Sequence, residues 1–265
     1  EHPDPRGEQM KVIRDALRQF LNSTPLEDVA VFIDWCSLHQ KPRSNEEEAA
    51  FSHAMRNIHV WYAHQGIRVW RLKQLPAGAE HDVPYSQRGW PMLEQCLSEM
   101  VTKSNFLLDL GHLDNNCSSW GHIVSTCTPR RRPPLTPEAF TRELSGKAFS
   151  EEADRDAVSK TYAHAFSEVI AAAEELSFNE LAWGDQEAQQ LAVVLPRCKQ
   201  LKKLTLYGNR IGEDGGMALV KALSHVPALE EFWATNNPVT KSKDLKEKLK
   251  SAWAETGKSD DSLHL

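Results

Sequence analysis

The stretch Leu201-Lys202-Lys203-Leu204-Thr205-Leu206-Tyr207-Gly208-Asn209-Arg210-Ile211-Gly212 decides how the second half of this 265-residue chain is read. Its leucines and its asparagine return at a fixed distance. Leu176, Leu204 and Phe232 are 28 residues apart, and so are Leu191 and Leu219, Leu195 and Leu223, Leu201 and Leu229, and Asn209 and Asn237. A register held at this many positions marks a repeat, in which each unit buries its apolar face against the next.

Working outward, residues 138–175 favour helix, with Phe140, Leu144 and Phe149 followed by Val158, Tyr162, Phe166 and Ile170. About three repeats are the minimum for stability, so this segment is expected to cover the open end of a short array. Before it, Thr128-Pro129-Arg130-Arg131-Arg132-Pro133-Pro134-Leu135-Thr136-Pro137 interrupts every periodic pattern, because proline lacks an amide donor and pushes its neighbours toward extended backbone. It reads as a solvated linker. The organisation expected is a first domain at 1–127, the linker at 128–137, a helical cap at 138–175, repeats at 176–255 and a disordered tail at 256–265. Leu245, Leu249 and Trp253 mark a closing helix.

In the first domain helical and strand-like segments alternate. Met10, Ile13, Leu17, Phe20 and Leu21 mark one helical face. Val29-Ala30-Val31-Phe32-Ile33 has the length and β-branching of a buried strand, with Asp34 at its C-terminal edge. Ser44 and the acids Glu46 to Glu48 start a helix through Phe51, Met55, Ile58 and Tyr62. Strands are expected at Ile67–Leu72 and Phe106–Leu110, with a helix starting near Pro91 and carrying Leu93, Cys96, Leu97 and Met100 between them. Such alternation builds a parallel sheet, which binds ligands beyond the C-terminal ends of its strands.

Composition excludes several classes. The net charge of −6 is shared equally by residues 1–130 and the remainder, which argues against a nucleic-acid binder. No apolar run reaches the ~18 residues needed to span a bilayer, so no membrane association is expected. The five cysteines, Cys36, Cys96, Cys117, Cys127 and Cys198, form no CxxC pair and read as reduced thiols of a cytoplasmic protein. His53, His59, His64 and His81 lack ligand spacing, and His112, Cys117, His122 and Cys127 read as scattered polar residues, so no metal is expected. The chain begins with Glu1, which reads as a fragment with its first strand upstream.

The 201–212 unit resembles a leucine-rich repeat of the ribonuclease-inhibitor type, over about residues 174–240. The resemblance implies one strand and one helix per repeat in an α/β solenoid. It also implies that the asparagine satisfies backbone groups after each strand. Leu181 stands where Asn209 and Asn237 stand later, so the first repeat reads as a degenerate cap. On the concave strands Lys203, Thr205, Tyr207, Glu231, Trp233 and Thr235 are expected to meet a protein partner.

In the first half, Val31-Phe32-Ile33-Asp34-Trp35-Cys36-Ser37-Leu38-His39-Gln40, Met55-Arg56-Asn57-Ile58-His59-Val60-Trp61-Tyr62 and Arg88-Gly89-Trp90-Pro91-Met92-Leu93-Glu94 resemble the core of a Toll/interleukin-1 receptor (TIR) domain, more closely the heterokaryon-incompatibility group. The likeness covers about residues 5–112 and implies a flavodoxin-like parallel sheet. In members that cleave NAD, the catalytic glutamate lies four residues after a tryptophan, as Glu94 does after Trp90. The resemblance therefore implies Glu94 as catalytic carboxylate, Trp90 as a packing or stacking wall, and Asp34 and Arg88 as ribose or phosphate contacts. Pro91 stands where plant-type members usually have cysteine. Two functions follow: a signalling or defence protein that hydrolyses NAD as substrate, without a bound cofactor, or a non-catalytic scaffold in which both domains only bind proteins; in either, self-association through the TIR-like domain is expected.

Overall fold

Side-chain caps set where several helices begin. Ser44 Oγ accepts from Glu47 N, and the Glu47 carboxylate accepts from Ser44 N at 2.8 Å, which starts helix α3 at Asn45 as the sequence predicts. The computed structural model describes residues 4–74, 83–113 and 118–265. His81 and Cys117 therefore lie outside the described residues.

The helices of the first half are α1 (Glu8–Asn22), α2 (Asp34–Ser37), α3 (Asn45–Arg56), α4 (Ile58–Tyr62), α5 (Gly89–Met100) and α6 (Trp120–Cys127). Strands β1 (Val69–Arg71) and β2 (Leu107–Asp109) pair in parallel, with Val69 opposite Leu107. The helix expected through Tyr62 is broken at Asn57, whose side chain donates to the His53 carbonyl. On α1 the core-facing residues are Ala16 and Phe20, while Met10 stays 46% exposed.

The expected strand at Val29–Ile33 is not one. These residues join no sheet, and Val31 is 49% exposed. Local groups take the amides that a ladder would need: Asp28 Oδ1 accepts from Val29 N, and Ser37 Oγ accepts from Ile33 N. Phe32 stacks on Trp61 with centroids 4.8 Å apart.

After residue 128 follow α7 (Pro137–Leu144), α8 (Asp154–Ala172), β3 (Glu175–Ser177), α9 (Asp185–Val194), β4 (Lys203–Thr205), α10 (Glu213–Leu223), β5 (Glu231–Trp233), α11 (Pro238–Lys241), α12 (Lys243–Ala254) and β6 (Leu263–His264). The four strands form one parallel sheet in sequence order. Its register keeps the 28-residue spacing, with Leu176 opposite Leu204 and Leu204 opposite Phe232. The backbone repeats too: Glu180, Gly208 and Asn236, one period apart, all have positive φ, at 58°, 70° and 58°. Asn209 Oδ1 accepts from Leu181 N and Trp183 N, and its Nδ2 donates to the Phe178 and Leu206 carbonyls. Asn237 bonds the Ile211 amide and the Leu206 and Ala234 carbonyls in the same way.

Two expectations about the connections fail. The segment 128–137 is not solvated: Arg131, Pro133 and Pro134 are buried. Arg131 is held because its guanidinium reaches the carbonyls of Glu99 (3.3 Å) and Ser177 (2.9 Å), while its own carbonyl accepts from Trp183 Nε1. Nor is the tail at 256–265 disordered. β6 pairs with β5, Trp253 Nε1 donates to the Ser259 carbonyl, and His264 stacks on Trp233 at 3.8 Å. One apolar core runs from Ile58 through α5, α7 and α8 to Trp253, so the two halves share an interior. A smaller core lies under α1, around Leu108, Leu110 and Ile123. Among the described residues, no helix is long and apolar enough to cross a membrane.

Candidate active site

Helix α5 carries Glu94, and its inner face is buried through Leu93, Cys96, Leu97 and Met100. The turn before it, Tyr85–Gln87, is tied to the second half: Gly89 N donates to the Ala148 carbonyl (3.0 Å), and Ala148 N to the Gln87 carbonyl (2.8 Å). Gly89 lies so close under Phe149 that a Cβ there would sit 1.9 Å from the Phe149 ring. Any larger residue at this approach would push the Phe149 ring aside.

Four further groups surround Glu94. Asp34 begins α2, Tyr62 ends α4, and Tyr85 and Arg88 precede α5. Burial, followed by the charge of Asp34, pushes the Glu94 carboxyl up to about 8, while hydrogen bonding from the Tyr85 hydroxyl and the charge of Arg88 act against the rise. At neutral pH this carboxyl is mostly protonated. Burial raises both tyrosine hydroxyls above their ordinary range, and the charges of Glu94 and Asp34 add to it. The Arg88 guanidinium carbon lies 5.6 Å from the Tyr85 ring centre, and its buried Nε has no hydrogen-bond partner.

The structure therefore brings together three residues named from sequence, Glu94, Asp34 and Arg88. Trp90 takes the packing role: its ring lies against the shared core, and its Nε1 donates to Asp154 Oδ2 at 3.0 Å. Tyr62 and Tyr85 were missed, since each sits outside the Trp90 to Glu94 spacing. The motif stretch 55–62 did contain Tyr62 as a signal.

Behind the site, a buried ionic group joins the halves. Arg71 Nη1 lies 2.7 Å from Glu99 Oε1, which also accepts from Gln95 Nε2. Arg131 approaches the same residue at its carbonyl, and burial pushes its guanidinium down to about 10. Arg71 Nε, Arg131 Nε and Glu99 Oε2 have no partner.

Of the residues assigned to a partner, Lys203, Glu231 and Trp233 form one surface group: Lys203 Nζ is 2.6 Å from Glu231 Oε2, which accepts from Trp233 Nε1. Tyr207 is 43% exposed and Thr235 half-buried. Thr205 departs from the expectation. Flanked in register by Ser177 and Trp233, it is buried and offers little to a partner. Among the described residues no three His, Cys, Asp or Glu side chains are grouped to hold a metal ion. No family model matches the chain, and no curated protein matches it.

Proposed function

We propose that the first half is a TIR-like domain that hydrolyses NAD at the nicotinamide to ribose bond, and that the second half is a leucine-rich-repeat module for recognising a protein. The observation that carries the reading is Glu94, a carboxyl grouped with half-buried Tyr85 and Arg88 and with exposed Asp34. Cleavage passes through an oxocarbenium-like state, which a carboxylate stabilises while accepting from ribose hydroxyls. Water attacks the ribose carbon as the bond to nicotinamide breaks, the electron pair leaves with the ring nitrogen to give neutral nicotinamide, and the attacking water gives its proton to the solvent. Nicotinamide is a good leaving group, so one carboxylate suffices. The substrate's cationic ring beside Glu94 would favour its ionised form.

The repeat reading rests on the 28-residue strand register and on the backbone hydrogen bonds of Asn209 and Asn237. Its partner surface is the Lys203, Glu231 and Trp233 group with exposed Tyr207.

The test is nicotinamide release from NAD by the full chain, beside Glu94→Gln. Turnover is expected from the parent, lost at least a hundredfold in the variant. Because Glu94 titrates near 8, kcat/KM should climb with pH and level off above about 8. Turnover that ignores Glu94 sinks the assignment. No turnover in a self-associated sample leaves the scaffold reading.

A further inference from the structure

We propose that the cleft beside Glu94, between the Tyr85–Ser86 turn, Gln95 of α5, and Arg132 and Lys147 of the second half, binds a diphosphate, the part of a dinucleotide that adjoins its ribose. The proposal rests on the NAD reading and deepens it by placing the phosphates between the two halves of the chain. The cleft holds about 250 Å³. That is ample for a diphosphate group.

Its walls mix polar groups with the apolar Pro91 and Met92, and carry one cation in excess. Arg132, Lys147 and Glu143 are its charged lining residues. Glu143 is already engaged by Arg132 Nη1. Lys147 Nζ donates to the neutral Ser86 carbonyl at 2.7 Å, and among the described residues it has no carboxylate within ion-pair distance. Arg132 Nη2 is spent on the sulfur of Cys96 at 3.1 Å, a weak acceptor. A phosphate oxygen is a far better acceptor for both donors.

The position agrees with the carboxyl. Tyr85 lines the cleft and also hydrogen-bonds Glu94, so one side chain links the cleft to the carboxyl. The backbone links between Gln87, Gly89 and Ala148 fix Lys147 relative to Tyr85. The proposal puts a ribose at Glu94 and its 5′-side phosphates on the Lys147 side of Tyr85.

The experiment is calorimetric titration of the full chain with inorganic pyrophosphate at physiological salt, on the parent, Lys147→Gln, Lys147→Arg and Glu94→Gln. Lys147→Gln should weaken pyrophosphate at least tenfold, Lys147→Arg should largely restore it, and Glu94→Gln should retain it. On NAD turnover, Lys147→Gln should raise KM with kcat little changed. Lys147 is half-exposed and bonds only a carbonyl, so an unchanged melting midpoint will certify the fold of its variants. Pyrophosphate that fails to bind the parent, or binds Lys147→Gln equally well, overturns the site. If pyrophosphate binds with the expected Lys147 dependence while the parent leaves NAD intact, the site stands and the cleavage reading falls.

Discussion

The two halves treat buried polar groups in opposite ways. In the second half, Asn209 and Asn237 lie within the core, yet both ends of each amide are bonded to backbone groups of the adjoining loops. In the first half and the strap after it, Thr24 Oγ1, Trp70 Nε1, Arg71 Nε, Arg88 Nε, Glu99 Oε2, Thr102 Oγ1 and Arg131 Nε are buried without partners, whereas among the described residues beyond 131 only Thr205 Oγ1 is. A buried donor or acceptor left unmatched costs about 1–3 kcal/mol, so a fold keeps few of them without a use. Satisfied polar groups here hold the frame. Most of the unsatisfied ones lie on α5, beside it or around its Glu99, on the helix where the carboxyl of Glu94 is held protonated.

That contrast is broken most severely at Asn209. Asn209→Ala removes the partners of two amides and two carbonyls at once, and the loss of stability should be about 4 kcal/mol by chemical denaturation. A loss below about 1 kcal/mol would show that water replaces the side chain freely.

Glu94→Gln probes the other side. The native carboxyl binds its proton more tightly than the unfolded one, so its contribution is fully present below the unfolded value near 4.5 and is lost as pH rises through about 8. The parent should therefore weaken between pH 5 and 9, and Glu94→Gln should flatten that slope, gaining on the order of 2–3 kcal/mol at pH 9 relative to the parent. Parallel pH profiles of the two proteins would remove Glu94 as a buried acid.

The smallest effect sharpens the comparison within the repeats. Glu180 adopts the left-handed backbone that Gly208 and Asn236, which tolerate it, occupy one and two periods later. Glu180→Gly should raise stability by about 0.5–1 kcal/mol, read as a higher melting midpoint. A decrease would mean that the Glu180 side chain contributes more than its backbone strain costs.

Much of this was legible in local residue choice. The leucine spacing announced the strand register, and Ser44 with Glu47 announced a helix start, because each signal acts within one element or one period. The Trp90 to Glu94 spacing located the carboxyl. Val29–Ile33 misled because apolar β-branched composition looks the same with or without a neighbouring strand, and here Asp28 and Ser37 captured the amides. The strap at 128–137 was opaque for a different reason: its buried arginine bonds carbonyls 32 and 46 residues away.

By itself, then, the sequence determined the parallel α/β character, the 28-residue register and the helix that presents Glu94, since periodicity and capping are written in nearby residues. Only the tertiary structure decided that Arg131 and the tail are ordered, that the halves share one core, and that Tyr62, Tyr85, Asp34 and Arg88 meet Glu94. Burial and the fields of distant charges set those outcomes, and both arise only when remote segments pack together.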